Sequence, residues 1–373
     1  GLLCLPTQLK ADEGMWLPMF INKLNYEDMK KQGLKLTADQ IYNVNKSSMK
    51  DAIVRLGTGF CTGEMISSQG LMLTNHHCGF SVIQQFSTED NDYLKNGFWA
   101  KDRSEEKPAG FSVSYLEEMK DVSNEVLEGV LEMMTVSERK TLINKNIAAI
   151  KKKLKGDSKN SVEIKSFFKG NNYYALIYEI FDDVRWVGAP PSSVGKYGGD
   201  TDNWMWPRHT GDFAMFRVYT SPDGTPAQYS EDNVPMKPKH HLPVSLDGVK
   251  DGDFTMTFGY PGSTDRYLTS YGVDQAINLK NPAVVEIRDA KLAELRKDMA
   301  ASDATRIMYA SKYAQIANYW KYFIGQTEQL KQVKVADTKR KVEGEFQAWA
   351  DADPARKAKY GDALNMLKQS YEM

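Results

Sequence analysis

The segment Leu71-Met72-Leu73-Thr74-Asn75-His76-His77-Cys78 joins a short apolar run directly to two histidines and a cysteine. Before it, residues 52–66 are rich in β-branched and small residues, and Ser67-Ser68-Gln69-Gly70 has the composition of a turn. This pattern predicts two strands of a β-hairpin, the second of which is buried and ends at the histidines. The candidate chemistry of the chain therefore begins at the end of this strand.

His77 is the candidate general base. A histidine serves in this role when it is accessible, well oriented and able to exchange a proton near neutral pH. His77 stands directly before Cys78, and a disulfide from Cys78 to Cys61 on the neighbouring strand would hold the turn that presents the imidazole. The alternative is that His76 and His77 form an exposed turn or a buried, hydrogen-bonded pair. The strand end and the adjacent cysteine favour catalysis.

A base of this kind needs a carboxylate that fixes its tautomer and stabilises the imidazolium. Asp212 is the best candidate, because it stands between Gly211 and the apolar run Phe213-Ala214-Met215-Phe216, at the mouth of a buried strand. Asp200 and Asp202 are close in sequence, but they lie in a glycine-rich loop that suits solvent or a ligand better.

The first residues differ from the rest of the chain. Gly1-Leu2-Leu3-Cys4-Leu5-Pro6 is apolar and is followed by a polar stretch, which suggests the remnant of a secretory signal peptide over residues 1–11. A leader without consequence is the alternative. If Cys4 leaves with the leader, Cys61 and Cys78 remain as a pair, which would form a disulfide in an exported chain, in the periplasm or at the cell surface. In a cytosolic chain they would be two buried thiols.

Composition excludes several classes of function. The chain has 373 residues, 41% hydrophobic and 26% charged, with a net charge of -1. A length of this order allows about two domains, and the charge gives no reason to expect nucleic acid or an anionic membrane as partner. No apolar run approaches the roughly 20 residues of a spanning helix.

The rest of the chain alternates in texture. Residues near 80–155 look helical and charged, and their lysine run at 151–155 is typical of a solvated helix face. Residues 162–168 and 173–181 predict a second hairpin, and the long Gly/Pro-rich loop at 187–207 predicts a functional segment. After about Ala276, apolar residues recur at helical spacing. These residues are Leu292, Leu295, Tyr313, Ile316, Trp320, Phe323 and Ile324.

Several blocks resemble a known family. Gly59-Phe60-Cys61-Thr62-Gly63 with Thr74-Asn75-His76-His77-Cys78 is similar to the Cys-strand-turn-strand-His-Cys element of chymotrypsin-like peptidases. Residues 12–18, 74–79, 198–213 and 259–264 resemble the bacterial dipeptidyl-peptidase 7 and dipeptidyl-peptidase 11 family of serine peptidases. The block at 198–213, which includes Asn203-Trp204-Met205-Trp206-Pro207-Arg208, is highly specific, and the likeness runs over nearly the whole chain.

The resemblance implies a mainly β fold with α-helices. A chymotrypsin-like β-barrel peptidase domain would occupy residues 12–275, with a helical excursion near 80–155, and an α-helical insertion would start at 276–373. It implies that His77 is the base, that Asp212 is the orienting carboxylate, and that Asn203 and Trp204 bind the substrate's free N-terminus. The amide oxygen would accept from the ammonium, and the indole face would pack beside it. Peptides with a free N-terminus are the expected partners, a homodimer the expected assembly, and no cofactor is expected.

The nucleophile departs from the family pattern. The family's serine lies in a Gly-flanked motif after a large helical insertion, and no Gly-x-Ser-Gly occurs in these 373 residues. Ser263 follows Gly262, but Thr264 replaces the second glycine, so we interpret Ser263 as a turn residue. We therefore expect a chain truncated before its serine and inactive alone. Dipeptides released from free N-termini are the expected product of the longer enzyme.

Two other functions compete with this hypothesis. A non-catalytic module of the same fold could bind peptide N-termini without cleaving them. A metal site could use His76, His77, His209, His240 and His241, but adjacent histidines on an extended segment point to opposite faces, and no His-Glu-x-x-His helix is present. We therefore expect no metal.

Overall fold

The structure, a computed structural model, describes residues 15–372. The predicted leader at residues 1–11, with Cys4, lies outside the described residues. Eleven strands occur within 15–372. They are β1 (Ile53–Leu56), β2 (Cys61–Met65), β3 (Leu71–Thr74), β4 (Phe98–Trp99), β5 (Lys107–Pro108), β6 (Val113–Asp121), β7 (Ser161–Phe167), β8 (Asn172–Phe181), β9 (Val184–Ala189), β10 (Ala214–Thr220) and β11 (Val234–Pro235).

The strands form a large antiparallel sheet and not the predicted chymotrypsin-like barrel. Its order is β4-β9-β10-β3-β2-β1-β6-β8-β7, with β11 on β10 and β5 on β9, and in the described part of the chain β4 and β7 end the path without pairing to each other. The expectation of a barrel was wrong because local patterns predict strands and hairpins, whereas closure depends on strand tilt and stagger around the whole sheet.

The hairpins themselves follow the sequence. Met65 of β2 pairs with Met72 of β3, with the turn at 67–70 between them. β7 pairs with β8 along its whole length, from Ser161 opposite Tyr178 to Phe167 opposite Asn172. The second predicted hairpin is therefore confirmed.

The chain is divided into two compact units. Within the described residues, the first comprises 15–73, Pro108–Arg185 and Phe216–Tyr260, and the second comprises Thr74–Lys107, Trp186–Met215 and 261–372. In the first unit, β8 is buried on both faces. Tyr174, Leu176 and Tyr178 pack with Leu116 and Met119, while Tyr173 and Ala175 pack with Val122, Val126 and Ile143. Two buried faces explain the nearly continuous apolar run of this strand.

Fifteen α-helices lie in the described residues. They are α1 (Ile21–Leu24), α2 (Tyr26–Lys31), α3 (Ala38–Ile41), α4 (His76–Phe86), α5 (Tyr93–Asn96), α6 (Ser123–Val126), α7 (Val136–Lys155), α8 (Ser192–Gly195), α9 (Gly199–Asp202), α10 (Ser270–Gln275), α11 (Asn281–Ala301), α12 (Asp303–Gln332), α13 (Val335–Asp351), α14 (Pro354–Tyr360) and α15 (Ala363–Glu372). The stretch near 80–155, predicted as helical, contains α4 to α7 but also β4, β5 and the nine-residue β6.

The second unit holds the site residues together with a long helical pair. Leu292 of α11 packs against Ile316 and Ala317 of α12, with Tyr313 and Trp320 beside them. This contact accounts for the apolar spacing seen in the sequence. The proposed boundary at residues 275 and 276 stays a prediction. Within residues 15–372, the helices are too short or too polar to cross a membrane.

Candidate active site

His77 lies in the first turn of α4, directly after the end of β3. Asn75 is the N-cap residue of this helix, with extended backbone angles, and the helix starts at His76. The His77 side chain is 68% exposed, and its Nδ1 lies 2.7 Å from Oδ2 of Asp212, whose side chain is 17% exposed. The structure therefore brings together the two residues that the sequence singled out as base and carboxylate.

Asp212 is held from several directions. Its Oδ1 accepts the main-chain N–H of His77 at 3.0 Å, and its Oδ2 also accepts Nδ2 of Asn75 at 3.3 Å. An N–H in the first turn of a helix has no partner within the helix, so a carboxylate there is favoured. Burial acts to raise the pKa of Asp212, but the hydrogen bonds from the ring and main chain of His77, with the electrostatic interaction between the two side chains, outweigh it and hold that pKa below its ordinary value. The carboxylate is thus kept ionised.

His76 has the opposite environment. Its side chain is buried, and this burial lowers its pKa to about 4. Gly195 packs directly on the ring, since a Cβ at that position would lie 2.3 Å from Cδ2 of His76. A neutral, enclosed imidazole is unable to meet a substrate. Of the two adjacent histidines, His77 is the one with access to solvent.

Asn203 and Trp204 directly follow α9, and both side chains hydrogen-bond to Asn318 on α12. Nδ2 of Asn203 donates to Oδ1 of Asn318 at 2.9 Å, and the indole Nε1 of Trp204 donates to the same oxygen at 3.1 Å. The Trp204 indole also lies against the ring of Tyr322, with centroids 5.1 Å apart. Trp204 has a positive φ of 60°, a backbone conformation that L-residues seldom adopt.

The hydrogen bonds around Asn318 fix the direction of two amides. An indole N–H only donates, so it requires Asn318 to present its oxygen. Asn318 Oδ1 then accepts from Asn203 as well, and Asn203 must present Nδ2 to it. The remaining acceptor of the pair, Oδ1 of Asn203, is left for another donor.

The other predicted site features are placed as follows. Cys61 and Cys78 are joined in a disulfide. In the described part of the chain, no serine hydroxyl hydrogen-bonds to His77, and Ser263 is an exposed residue of an irregular segment. Between residues 15 and 372, no three of the five histidines come together as a group of potential metal ligands.

Two residues of the site were missed from the sequence. Asn75 stands at the N-cap position of α4, where polar residues are favoured, although its side chain donates to Asp212 and does not cap the helix. Asn318 carried no such signal. It lies 115 residues from Asn203 on a helix where a polar residue is ordinary.

Comparisons with known proteins agree on one family. The sequence model described as Peptidase S46 matches residues 11–373. "Dipeptidyl-peptidase 7" of Capnocytophaga gingivalis is 47% identical over 371 residues, covering 99% of this chain and 52% of the relative. "Asp/Glu-specific dipeptidyl-peptidase" of Flavobacterium psychrophilum is 46% identical over 372 residues, with the same two coverages.

A solved structure agrees as well. DPP11 of Porphyromonas endodontalis in complex with the dipeptide Arg-Asp superimposes with a TM-score of 0.89 at 38% identity, covering 97% of this chain and 53% of that one. The chain thus spans about half the length of the curated relatives it matches.

Proposed function

The chain belongs to the Peptidase S46 family, and on this premise we propose that it acts as a serine-type dipeptidyl-peptidase, releasing dipeptides from the free N-terminus of peptides. The membership confirms the resemblance noted in the sequence. The observation that carries the proposal is the 2.7 Å contact between Nδ1 of His77 and Oδ2 of Asp212.

In the proposed reaction His77 is the base and Asp212 its partner. With Nδ1–H donated to Asp212, the lone pair of Nε2 is directed away from the carboxylate and accepts the proton of the attacking serine hydroxyl. The serine oxygen bonds to the scissile carbonyl carbon, and His77 returns the proton to the leaving amine as the peptide bond breaks. Water then repeats the sequence on the acyl-enzyme and frees the dipeptide.

The proposed reason for exopeptidase action is the amide of Asn203. Its Oδ1, left without a donor by the orientation of Asn318, would accept from the peptide's terminal ammonium, and the Trp204 face would pack beside the charge. An N-acetylated peptide has neither the charge nor the full set of donors. It should therefore bind poorly.

We also propose that the attacking serine is contributed by residues C-terminal to Met373. The support is that no serine of the described residues hydrogen-bonds to His77 and that no Gly-x-Ser-Gly occurs in the sequence. A fluorophosphonate probe applied to the longer protein, followed by peptide mapping, tests this placement. We expect label on one serine outside residues 1–373, lost in His77→Ala; label on a serine within 1–373 would contradict it.

The activity itself is tested with dipeptidyl arylamides on the longer protein. Cleavage of the free-amine substrate, none of the N-acetylated one, and none by His77→Ala are the expected results. Tight binding of a free-amine peptide without any cleavage or labelled serine would instead support the non-catalytic binding module.

Export and dimer formation belong to the same proposal. The Cys61–Cys78 disulfide is the kind of bond that an oxidising compartment preserves, and the family resemblance suggests a homodimer. N-terminal sequencing of the protein recovered from the periplasm or cell surface, and light scattering of the purified enzyme, measure these two properties directly. An uncleaved cytosolic protein, or a monomer at working concentration, would contradict them.

A further inference from the structure

Asp200, which the site chemistry does not use, ties α9 to α12. The hydroxyl of Tyr313 on α12 donates to Oδ2 of Asp200 at 2.8 Å. The other carboxylate oxygen, Oδ1, accepts from Nζ of Lys196 at 2.9 Å. Side chains of Lys196 and Asp200 are only 33% and 20% exposed. Both oxygens of the carboxylate are therefore occupied by protein donors.

Tyr313 is fixed from its own side as well. Arg296 on α11 donates Nε–H to the Tyr313 hydroxyl at 3.0 Å, so this hydroxyl both donates and accepts. Burial raises the pKa of Tyr313, and the bond to Asp200 acts in the same direction, while the bond from Arg296 acts against them. Its ring packs with Leu292 and Ile316 in the contact between α11 and α12. The link to Asp200 thus starts from a rigid part of the helical pair.

The link stands beside the proposed pocket for the peptide N-terminus. Asn203 and Trp204 come three and four residues after Asp200, and Asn318 comes five residues after Tyr313 on the continuous helix α12. At about 1.5 Å per residue, five helical residues span only ~7.5 Å. The same two segments therefore meet twice, once at the Asp200–Tyr313 bond and once at Asn318.

The short helix needs such an anchor. α9 has four residues, Gly199–Asp202, and helices this short do not hold their shape without outside contacts. Gly198, which precedes α9, and Gly199, its first residue, have positive φ values of 80° and 56°, and glycine leaves the backbone free to take other conformations. A loose α9 would let Asn203 and Trp204 move away from Asn318.

We propose that Asp200 and Tyr313 are positioning residues for recognition of the peptide N-terminus: their hydrogen bond holds α9 against α12, so that Asn203, Trp204 and Asn318 keep the spacing that binds an ammonium group. This inference rests on the proposed function, because it assigns a role within the same site. Neither residue touches the reacting atoms. Their effect falls on substrate binding and leaves proton transfer by His77 unchanged.

The test is a steady-state comparison of four variants in the full-length enzyme. Tyr313→Phe removes only the hydroxyl, Asp200→Ala removes both acceptors, and Asp200→Asn keeps one oxygen to accept from Tyr313. Tyr309→Phe is the matched control, because its hydroxyl, on the same helix and 41% exposed, has no hydrogen-bond partner among the described residues. The readouts are KM and kcat for a free-amine dipeptidyl arylamide, together with the thermal midpoint.

We expect Tyr313→Phe and Asp200→Ala to raise KM by about three- to tenfold, with kcat nearly unchanged. This is less than the full contribution of a hydrogen bond to a charged group, because the bond acts on substrate binding only through the position of α9. Asp200→Asn should recover most of the wild-type KM, and Tyr309→Phe should equal the wild type. A lower thermal midpoint with unchanged KM would mean a merely structural bond and would overturn the inference.

Three further outcomes would also overturn it. If Asp200→Asn raised KM as much as Asp200→Ala, the loss of the ion pair with Lys196 would explain the change in KM, and the hydrogen bond from Tyr313 would not. A wild-type enzyme without activity on the free-amine substrate would defeat the proposed function and this inference with it. Wild-type activity together with an unchanged KM in Tyr313→Phe would defeat this inference alone.

Discussion

His77 binds both oxygens of Asp212, one through its main-chain N–H at 3.0 Å and the other through Nδ1 of its ring at 2.7 Å. The two bonds do different things. The main-chain bond places the carboxylate at the start of α4, and the ring bond selects the tautomer in which Nε2 is free to accept a proton. One residue thus positions its own partner.

Asp212→Asn separates these two contributions. The asparagine oxygen can still accept the main-chain N–H of His77, but its NH2 group then faces Nδ1 and forces the tautomer whose Nε2 carries the proton. We expect kcat of the full-length enzyme to fall by roughly 10³- to 10⁴-fold with little change in KM. Asp232→Asn, an exposed and isosteric change, is the control. A kcat within a factor of a few of the wild type would exclude Asp212 from this role.

The pH dependence of stability reports on His76. Because burial lowers its pKa to about 4, the unfolded chain takes up a proton at His76 before the folded chain does as the pH falls. The stabilisation is fully present above the ordinary pKa of about 6.5 and is lost between about pH 6.5 and about pH 4, by on the order of 3 kcal/mol. Urea unfolding at about pH 7 and about pH 4.5 measures this loss.

His76→Gln provides the comparison. Glutamine keeps an N–H donor but does not titrate, so the loss of unfolding free energy between the two pH values should be smaller in the variant. The difference between the two proteins removes the contribution of other groups. Equal losses in both proteins would show that His76 titrates normally in the folded chain.

Gly195 supports the same imidazole from the other side. A Cβ at Gly195 would lie 2.3 Å from Cδ2 of His76, closer than any real contact, so the buried ring or α8 must move. We expect Gly195→Ala to destabilise the protein by about 1–3 kcal/mol. Gly325→Ala on α12, where a Cβ meets nothing within 4 Å, should be neutral or stabilising. Thermal midpoints of both variants measure the contrast; equal shifts would contradict it.

The sequence predicted the pairing of His77 with Asp212 better than it predicted the fold. His77 follows the apolar strand β3 and Asp212 precedes the apolar strand β10, and a polar residue directly beside an apolar run can be recognised in the sequence. The β7–β8 hairpin was predicted from local sequence too, because two runs typical of strands flank Gly170-Asn171-Asn172. The closed barrel was wrong, since pairing of β1 with β6, whose residues lie about 60 apart, is decided by tertiary packing.

Asn318 is a residue of the candidate site that could not be predicted from the sequence. Its importance comes from a bond to Asn203 across 115 residues. On α12 the apolar spacing of Ile316 and Trp320 indicates which face is buried, but it does not indicate which polar residue of the other face meets a partner. Asn318 can be identified only from the structure, in which α12 lies against the loop after α9.

Trp204→Phe tests the orientation of the amides in the proposed pocket. Phenylalanine keeps an aromatic ring against Tyr322 but lacks the N–H that makes Asn318 present its oxygen. The Asn318 and Asn203 amides can then turn together, so that Asn203 presents NH2 instead of an oxygen to the peptide ammonium. The NH2 group of Asn203 and the ammonium of the peptide are both hydrogen-bond donors and repel each other. KM for a free-amine substrate should therefore rise by about tenfold while kcat is retained.

Trp206→Phe is the matched control for that change. Trp206 is 71% exposed, and its indole nitrogen has no hydrogen-bond partner among residues 15–372. Its substitution should leave KM at the wild-type value. If Trp204→Phe also binds the free-amine substrate normally, the indole N–H does not orient the amides. A fall in kcat with unchanged KM would point instead to a contact made only in the transition state, since uniform binding affects KM alone.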